Sequence, residues 1–179
     1  MSLKYIIKKS YIFNFDLFKT VYDHSIKFTE EFLNNHYSDT NLNIGDNVYF
    51  WINSFSNYVE NLNCVYLECY ENLSNGKLHP VGYGCACIIN REFHIPIFLS
   101  GSRSNSVRPT ILDKETWNTL FRFTIEHNCD KFIFDTHRDG RIWKALNLSK
   151  RLIDYPVEYK NSWPVAYMIV DLRNYNDNK

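Results

Sequence analysis

From Cys64 to Leu172 the chain reads strand, turn, strand, turn, strand, polar loop, helix, strand, helix, strand, and that order restricts its fold more than any other feature. Cys64–Tyr70 is partly β-branched and aromatic, and Asn75-Gly76 after it is a strong turn signal. Val81–Ile89 is a second run, with Gly82 and Gly84 on one face and Tyr83, Cys85 and Cys87 on the other. Asn90-Arg91 makes a turn into Phe93–Leu99, a run interrupted by Pro96. Proline cannot donate to a ladder, so a bulge or an unpaired edge is expected there. The polar loop Ser100–Thr110 reads SGSRSNSVRPT. Asp113 then caps a helix through His127, with Trp117, Leu120, Phe121 and Thr124 on its inner face. Lys131–Thr136 is a short buried-type strand and Arg138–Leu146 a helix. Tyr155–Trp163 is a short strand plus a loop ending at Pro164, and Val165–Leu172 is an alternating strand.

Ahead of this block, a short leading strand precedes a helix capped by Asn14, with Phe15, Phe18, Tyr22, Ile26 and Leu33 near one face and Asn34-Asn35 at its end. Val48–Val59 reads as a second helix. The 179 residues fit one domain, 1–179, large enough for a core without disulfides or metals. With 13 Tyr, 13 Phe and 4 Trp the chain is too aromatic to be disordered. Acidic and basic residues balance at 20 each, which disfavours general nucleic-acid binding. No apolar run approaches the ~20 residues that span a bilayer, and the start, MSLKYIIKKSYIF, is not a secretory signal. Five cysteines, an odd number and mostly in strands, point to reduced thiols in a cytoplasm. The sequons at Asn72 and Asn147 then carry no meaning.

Three local features together resemble the GNAT superfamily of acyl-CoA-dependent N-acyltransferases. Pro96 breaks the strand that in this family is bulged and splays from its neighbour. The helix from Asp113 begins where the family places its cofactor-phosphate helix, and Ile142–Leu148 is similar to its "LYEKLGF" signature. The resemblance covers roughly Cys64 to Leu172. It implies an α/β fold, with a central mixed, mostly antiparallel sheet flanked by helices. It also implies transfer of an acyl group from acetyl-CoA or another acyl-CoA to a small-molecule or protein amine. By the same resemblance the backbone near Pro96–Leu99 aligns the thioester, and Gly101, Ser102, Arg103, Ser104 and Arg108 face the cofactor phosphates. Glu68 is the residue to deprotonate the amine, with Glu71 as a neighbouring alternative.

Two positions depart from the family. Its phosphate loop reads R/Q-x-x-G-x-G/A, and its glycines let backbone amides approach a pyrophosphate. Here serines and arginines follow Gly101 instead; they bind phosphate through charge-assisted bonds. Trp143 stands where the family often has the tyrosine that protonates the leaving thiolate, and indole does not titrate usefully.

Each candidate also has a plainer reading. Ser100–Pro109 reads equally as a solvated connector, and Glu68 as an exposed strand carboxylate. Asp135, His137, Arg138 and Asp139 gather at a strand end, where His137 is the best general acid or base and helix capping is the plainer role. The letters His137-Arg138-Asp139 also occur in kinases, but nothing else of a kinase is present. Cys85-x-Cys87 near His79 and His94 lacks zinc spacing, and both cysteines read as core. The basic stretch Arg138, Arg141, Lys144, Lys150 and Arg151 reads as a solvated helix face. Two other functions remain open. One is a protein of the same fold without acyl-CoA activity, such as a phage-encoded accessory protein. The other is a DNA-modifying transferase of that fold, which salt-sensitive DNA affinity would reveal.

Overall fold

The computed structural model describes residues 4–28, 48–105, 110, 113–137, 152–162 and 165–176. Among them, seven strands form one sheet: β1 (Tyr5–Ser10), β2 (Val65–Asn72), β3 (Leu78–Ile89), β4 (Glu92–Ser100), β5 (Lys131–His137), β6 (Val157–Ser162) and β7 (Val165–Asp171). Their order is β1-β2-β3-β4-β5-β7-β6. Only β4 and β5 run parallel; every other neighbouring pair is antiparallel. The expected mixed, mostly antiparallel sheet is therefore present, with helices on both faces.

The first helix, α1 (Phe15–Phe28), starts where predicted: the Asn14 Oδ1 accepts the Leu17 amide at 3.1 Å. The second, α2 (Val48–Leu62), confirms the helical reading of Val48–Val59, and Asn63, with φ 51°, ends it in the left-handed conformation. Asp113 caps α3 (Lys114–Glu126) by accepting the Glu115 amide. The predicted end of α1 at Asn34-Asn35, the helix Arg138–Leu146 with Trp143, and the basic stretch lie outside the described residues.

Strand alternation divides the apolar residues between two cores. Trp117, Leu120 and Phe121 of α3 pack on Leu67, Ile95, Phe132, Phe134 and Met168. On the other face, Phe18 and Val21 of α1 and Phe55 of α2 cover Tyr66, Tyr83, Cys85 and Leu99. Burying side chains of this size contributes roughly 1.5–3 kcal/mol each. Cys85 is fully buried, and burial pushes its thiol well up, so it is an inert core residue, as expected.

Two strand bounds differ from the sequence reading. β3 starts at Leu78 rather than Val81 and so includes Pro80. The register shifts between Cys69 and Tyr70 on the facing strand, and a bulge is where a ladder tolerates proline. β6 occupies Val157–Ser162 within the segment read as strand plus loop. The Asn90-Arg91 turn is a two-residue hairpin with φ values of 50° and 65°, the left-handed pair that matches strand twist.

Candidate functional site

The break at Pro96 opens a wedge in the sheet. In the β3–β4 register Cys85 faces Ile97 and Cys87 faces His94, so Ile95 and Pro96 together oppose Ala86. That extra residue is a bulge. The parallel ladder of β4 with β5 ends at Ile95–Phe134, immediately before the proline. Beyond it β5 continues through His137, paired only with β7 among the described strands.

Backbone alternation decides which groups face this wedge. The Gly101 amide donates to the Val81 carbonyl at 2.8 Å, and in an antiparallel ladder such bonded pairs alternate with non-bonded ones. Leu99 opposite Tyr83 and Ile97 opposite Cys85 are thus the bonded pairs. Phe98 turns its N–H and C=O the other way, towards β5. Leu99, the residue expected to contact cofactor, directs its backbone to β3 and its side chain into the α1–α2 core. The Phe98 ring lies on the opposite face against glycine: a Cβ on Gly84 would stand 2.5 Å from Phe98 Cδ2 and 2.9 Å from the Ile97 carbonyl oxygen.

The polar loop leaves β4 through a clamp. Thr110 donates its amide to the Gly101 carbonyl at 3.0 Å. Its buried hydroxyl lies 3.1 Å from the Val81 oxygen and 3.2 Å from Ser100 Oγ. The Ser102 carbonyl lies 3.2 Å from His79 Nε2. Arg103 and Ser104 turn inward to Glu71, which is only 5% exposed: Arg103 Nε is 3.3 Å from Oε1, and the Ser104 amide donates to Oε2 at 2.8 Å. Asp113 joins this network, with Lys4 Nζ at 2.6 Å, Tyr5 Oη at 2.8 Å and Arg103 Nη1 at 3.6 Å from its Oδ2. Burial alone would raise the Glu71 carboxyl, but the Ser104 and Arg103 donors outweigh it and hold the group below the ordinary value. Asp113 is held down in the same way, against its burial, by Lys4, Tyr5 and the Glu115 amide.

The wedge suits an extended chain bearing amides, because Phe98 offers it a donor and an acceptor. The start of α3 differs from a phosphate nest of bare amides, since Glu71 and Asp113 already accept there. Arg103 is held through Nε and Nη1, so Nη2 is the part of the guanidinium outside those contacts.

Glu68 lies two strands from β4, opposite Tyr83, which in turn faces Leu99. That is roughly 10 Å across the sheet. Its carboxylate accepts from Tyr70 Oη at 2.8 Å and from Asn14 Nδ2 at 3.4 Å. Glu71, the neighbouring alternative, sits at the start of α3 instead. His137 ends β5 opposite Val165; its side chain, like Arg108, lies outside the described residues. The loop residues Gly101–Ser104 are thus brought together with Glu71 and Asp113, and Glu68 stands apart from them.

One carboxylate takes a place that the strand-end cluster only hinted at. Asp135 follows Phe134, the last residue of β5 to pair with β4. Phe132 and Phe134 enter the α3 core, so alternation points Asp135 to the α2 face. Its Oδ1 is buried and meets no donor among the described residues. Desolvation pushes the carboxyl up to about 6. Its charge also reaches α2: burial first, then Asp135, raises the Tyr58 phenol.

No protein-family model matches the chain, and no curated protein matches it by sequence. Solved structures do. It is similar to the spermidine N-acetyltransferase of Vibrio cholerae, solved with CoA and spermine, at 9% identity and TM-score 0.51 over 96% of this chain and 98% of that one. A Bacillus subtilis acetyltransferase solved with CoA matches at 10% identity and TM-score 0.50, over 94% and 99%. A putative acyl-CoA N-acyltransferase from Klebsiella pneumoniae matches at 9% and 0.50, over 96% and 99%. At these identities the likeness shows the fold: the chain has the GNAT fold.

Proposed function

We propose that the protein transfers an acyl group from an acyl-CoA to a primary amine. The observation that carries this reading is the wedge: β4 bulges at Ile95–Pro96, leaves β5, and turns the Phe98 backbone into the opening. Two of the similar folds were solved with CoA, and one of those also with a polyamine. When bound, acyl-CoA supplies the thioester carbon that an amine attacks. The rest is the work of this chain's residues. Phe98 fixes the donor's amides through its N–H and C=O, and such positioning accounts for much of an acyl transfer's acceleration. Gly101, Ser102, Ser104 and Arg108 would hold the adenine-side phosphates, and Arg103 would add its outer edge while Glu71 and Asp113 hold the rest of its guanidinium. The incoming nitrogen must lose one proton to attack and a second on forming the C–N bond; the second leaves with the thiol. Five cysteines, none of them in a disulfide, are consistent with chemistry in a reducing compartment such as a cytoplasm. Among the described residues no helix is long and apolar enough to cross a membrane.

A second reading has its own observation. Carboxylates already occupy the start of α3, which favours a GNAT-fold binding protein without acyl-CoA activity. Thermal unfolding with acetyl-CoA, free CoA and ATP separates the two. Ligand at about a hundred times its dissociation constant stabilises the native state by ~2.7 kcal/mol, several degrees in midpoint. A rise with acetyl-CoA and CoA but not ATP supports transfer. No rise with any of them removes it and leaves the binding protein.

A further inference from the structure

We propose that Asp135 is the acceptor-binding residue: its carboxylate receives the amine as an ammonium ion and takes the proton the nitrogen must lose before attack. The proposal rests on the acyl-transfer reading and names the group that handles its acceptor.

Three observations converge. The first is place. Asp135 is the first β5 residue past the ladder with β4, so its carboxylate stands at the opening of the wedge into which Phe98 points. A donor held in the wedge by Phe98 would bring its thioester to the side of the opening that Asp135 borders. The second is surroundings. Among the described residues, the titratable groups facing Asp135 are Tyr58 of α2, Cys64 where α2 meets β2, Cys87 of β3 and Tyr167 opposite it on β7, with Cys85 beyond. None of these is a cation. The third is the missing partner, an Oδ1 that is buried with no described donor. A buried carboxylate without a counter-ion is costly unless a ligand completes it. A ligand ammonium supplies both the charge and the hydrogen bonds.

The proton balance is simple. An ammonium and the Asp135 carboxylate become a neutral amine and a carboxylic acid. The amine then forms the C–N bond as the C–S bond breaks, and its second proton departs with the thiol. Asp135 returns its own proton to water. Burial holds the carboxyl at about 6, closer to neutrality than an exposed carboxylate and therefore better matched to this exchange.

Carboxyl titration by NMR in protein carrying 13C-labelled aspartate tests this on the full chain, with Asp135 assigned by its loss in Asp135→Asn. Methylammonium, benzylammonium and spermidine are the probes. At least one should lower the Asp135 titration by a unit or more, and acetyl transfer to that amine should fall 100-fold or more in Asp135→Asn. The proposal is overturned if no probe moves the titration, or if Asp135→Asn acetylates a probe as fast as wild type. Acetyl-CoA binding, read separately from unfolding midpoints, decides the transfer reading itself: midpoints that ignore acetyl-CoA, beside a titration that responds to amines, remove transfer and leave an amine site.

Discussion

The start of α3 and the wedge beside β5 both bury carboxylates, under opposite conditions. Glu71 and Asp113 are met by Arg103, the Ser104 amide, Lys4 and Tyr5, and are held below ordinary carboxylate values. Asp135 has a buried oxygen with no described donor and is pushed up to about 6 from 3.8. The contrast reverses the sign of their pH dependence. For Glu71 and Asp113 the unfolded state binds more protons, so their stabilisation is present above the unfolded values and is lost as pH falls through the folded ones. For Asp135 the folded state binds more, so stability falls as pH rises from about 4 to about 6 and stays reduced above. One region uses charge to pin a loop. The other carries a charge that works against folding, which is how groups kept for chemistry often look.

Asp135→Asn is the largest expected break in that contrast. Acyl transfer should fall about 10²–10⁴-fold, the usual worth of a positioned general base. The same variant should be more stable than wild type at pH 8, by about 1–3 kcal/mol. The upper figure follows from the rise from 3.8 to about 6 at 1.36 kcal/mol per pH unit; solvent reaching the group reduces it. Near pH 4 the gain should vanish. Unfolding midpoints across that range check it, and a variant less stable at pH 8 would mean that Asp135 is paired in the native state.

Glu71→Ala tests the other half. It leaves Arg103 and the Ser104 amide without their buried acceptor, and removal of one member of a partly buried charged network costs about 2–3 kcal/mol at pH 7. The loss should shrink as pH falls and wild-type Glu71 is itself protonated. Denaturant midpoints at pH 7 and pH 3.5 measure this; an equal loss at both would make Glu71 a packing residue rather than a charge.

Gly84→Ala leaves all three carboxylates in place and disturbs the strand between them. The new Cβ would meet the Phe98 ring at 2.5 Å and a backbone oxygen at 2.9 Å. The expected cost is about 1–3 kcal/mol, as for other overpacked cores. If the Phe98 backbone holds the donor, acetyl-CoA affinity should weaken as well, with the Asp135 titration unchanged. Calorimetry and carboxyl NMR read the two separately.

The contrast itself was only half legible in the sequence. Local signals were strong enough for the strands, the caps at Asn14 and Asp113 and the break at Pro96, because proline's missing donor and the hydrogen-bonding side chains act within a few residues. The GNAT-like order placed the loop. What was hidden depends on pairing at a distance. Glu68 and Glu71 look alike on one strand, yet alternation sends them to opposite faces, and only the fold brings Arg103, thirty-two positions away, to Glu71 and leaves Glu68 with Tyr70 and Asn14. Asp135 was visible as one of four polar residues at a strand end. That it lies at the mouth of the wedge follows only from where the β4–β5 ladder stops. Thr110 carried no signal at all, since a threonine after proline in a polar loop gives no hint of burial.

That threonine makes the smallest prediction and the finest test of how the start of α3 is held. Thr110 is 1% exposed, and its hydroxyl lies within 3.3 Å of Val81 O, Gly101 O and Ser100 Oγ. The hydroxyl donates once, to one of these oxygens, so Thr110→Val removes at least that hydrogen bond, about 1 kcal/mol. The backbone bonds from Gly101 to Val81 and from Thr110 to Gly101 survive the change. Amide exchange should therefore quicken about fivefold at Gly101, the equivalent of ~1 kcal/mol in local opening, while the Asp135 carboxyl titrates as before. A faster exchange confined to the loop would show that the charged network and the wedge are independent. If the Asp135 titration moved with it, the two regions would be one coupled unit, and the loop's grip on Glu71 would reach the acceptor side of the sheet.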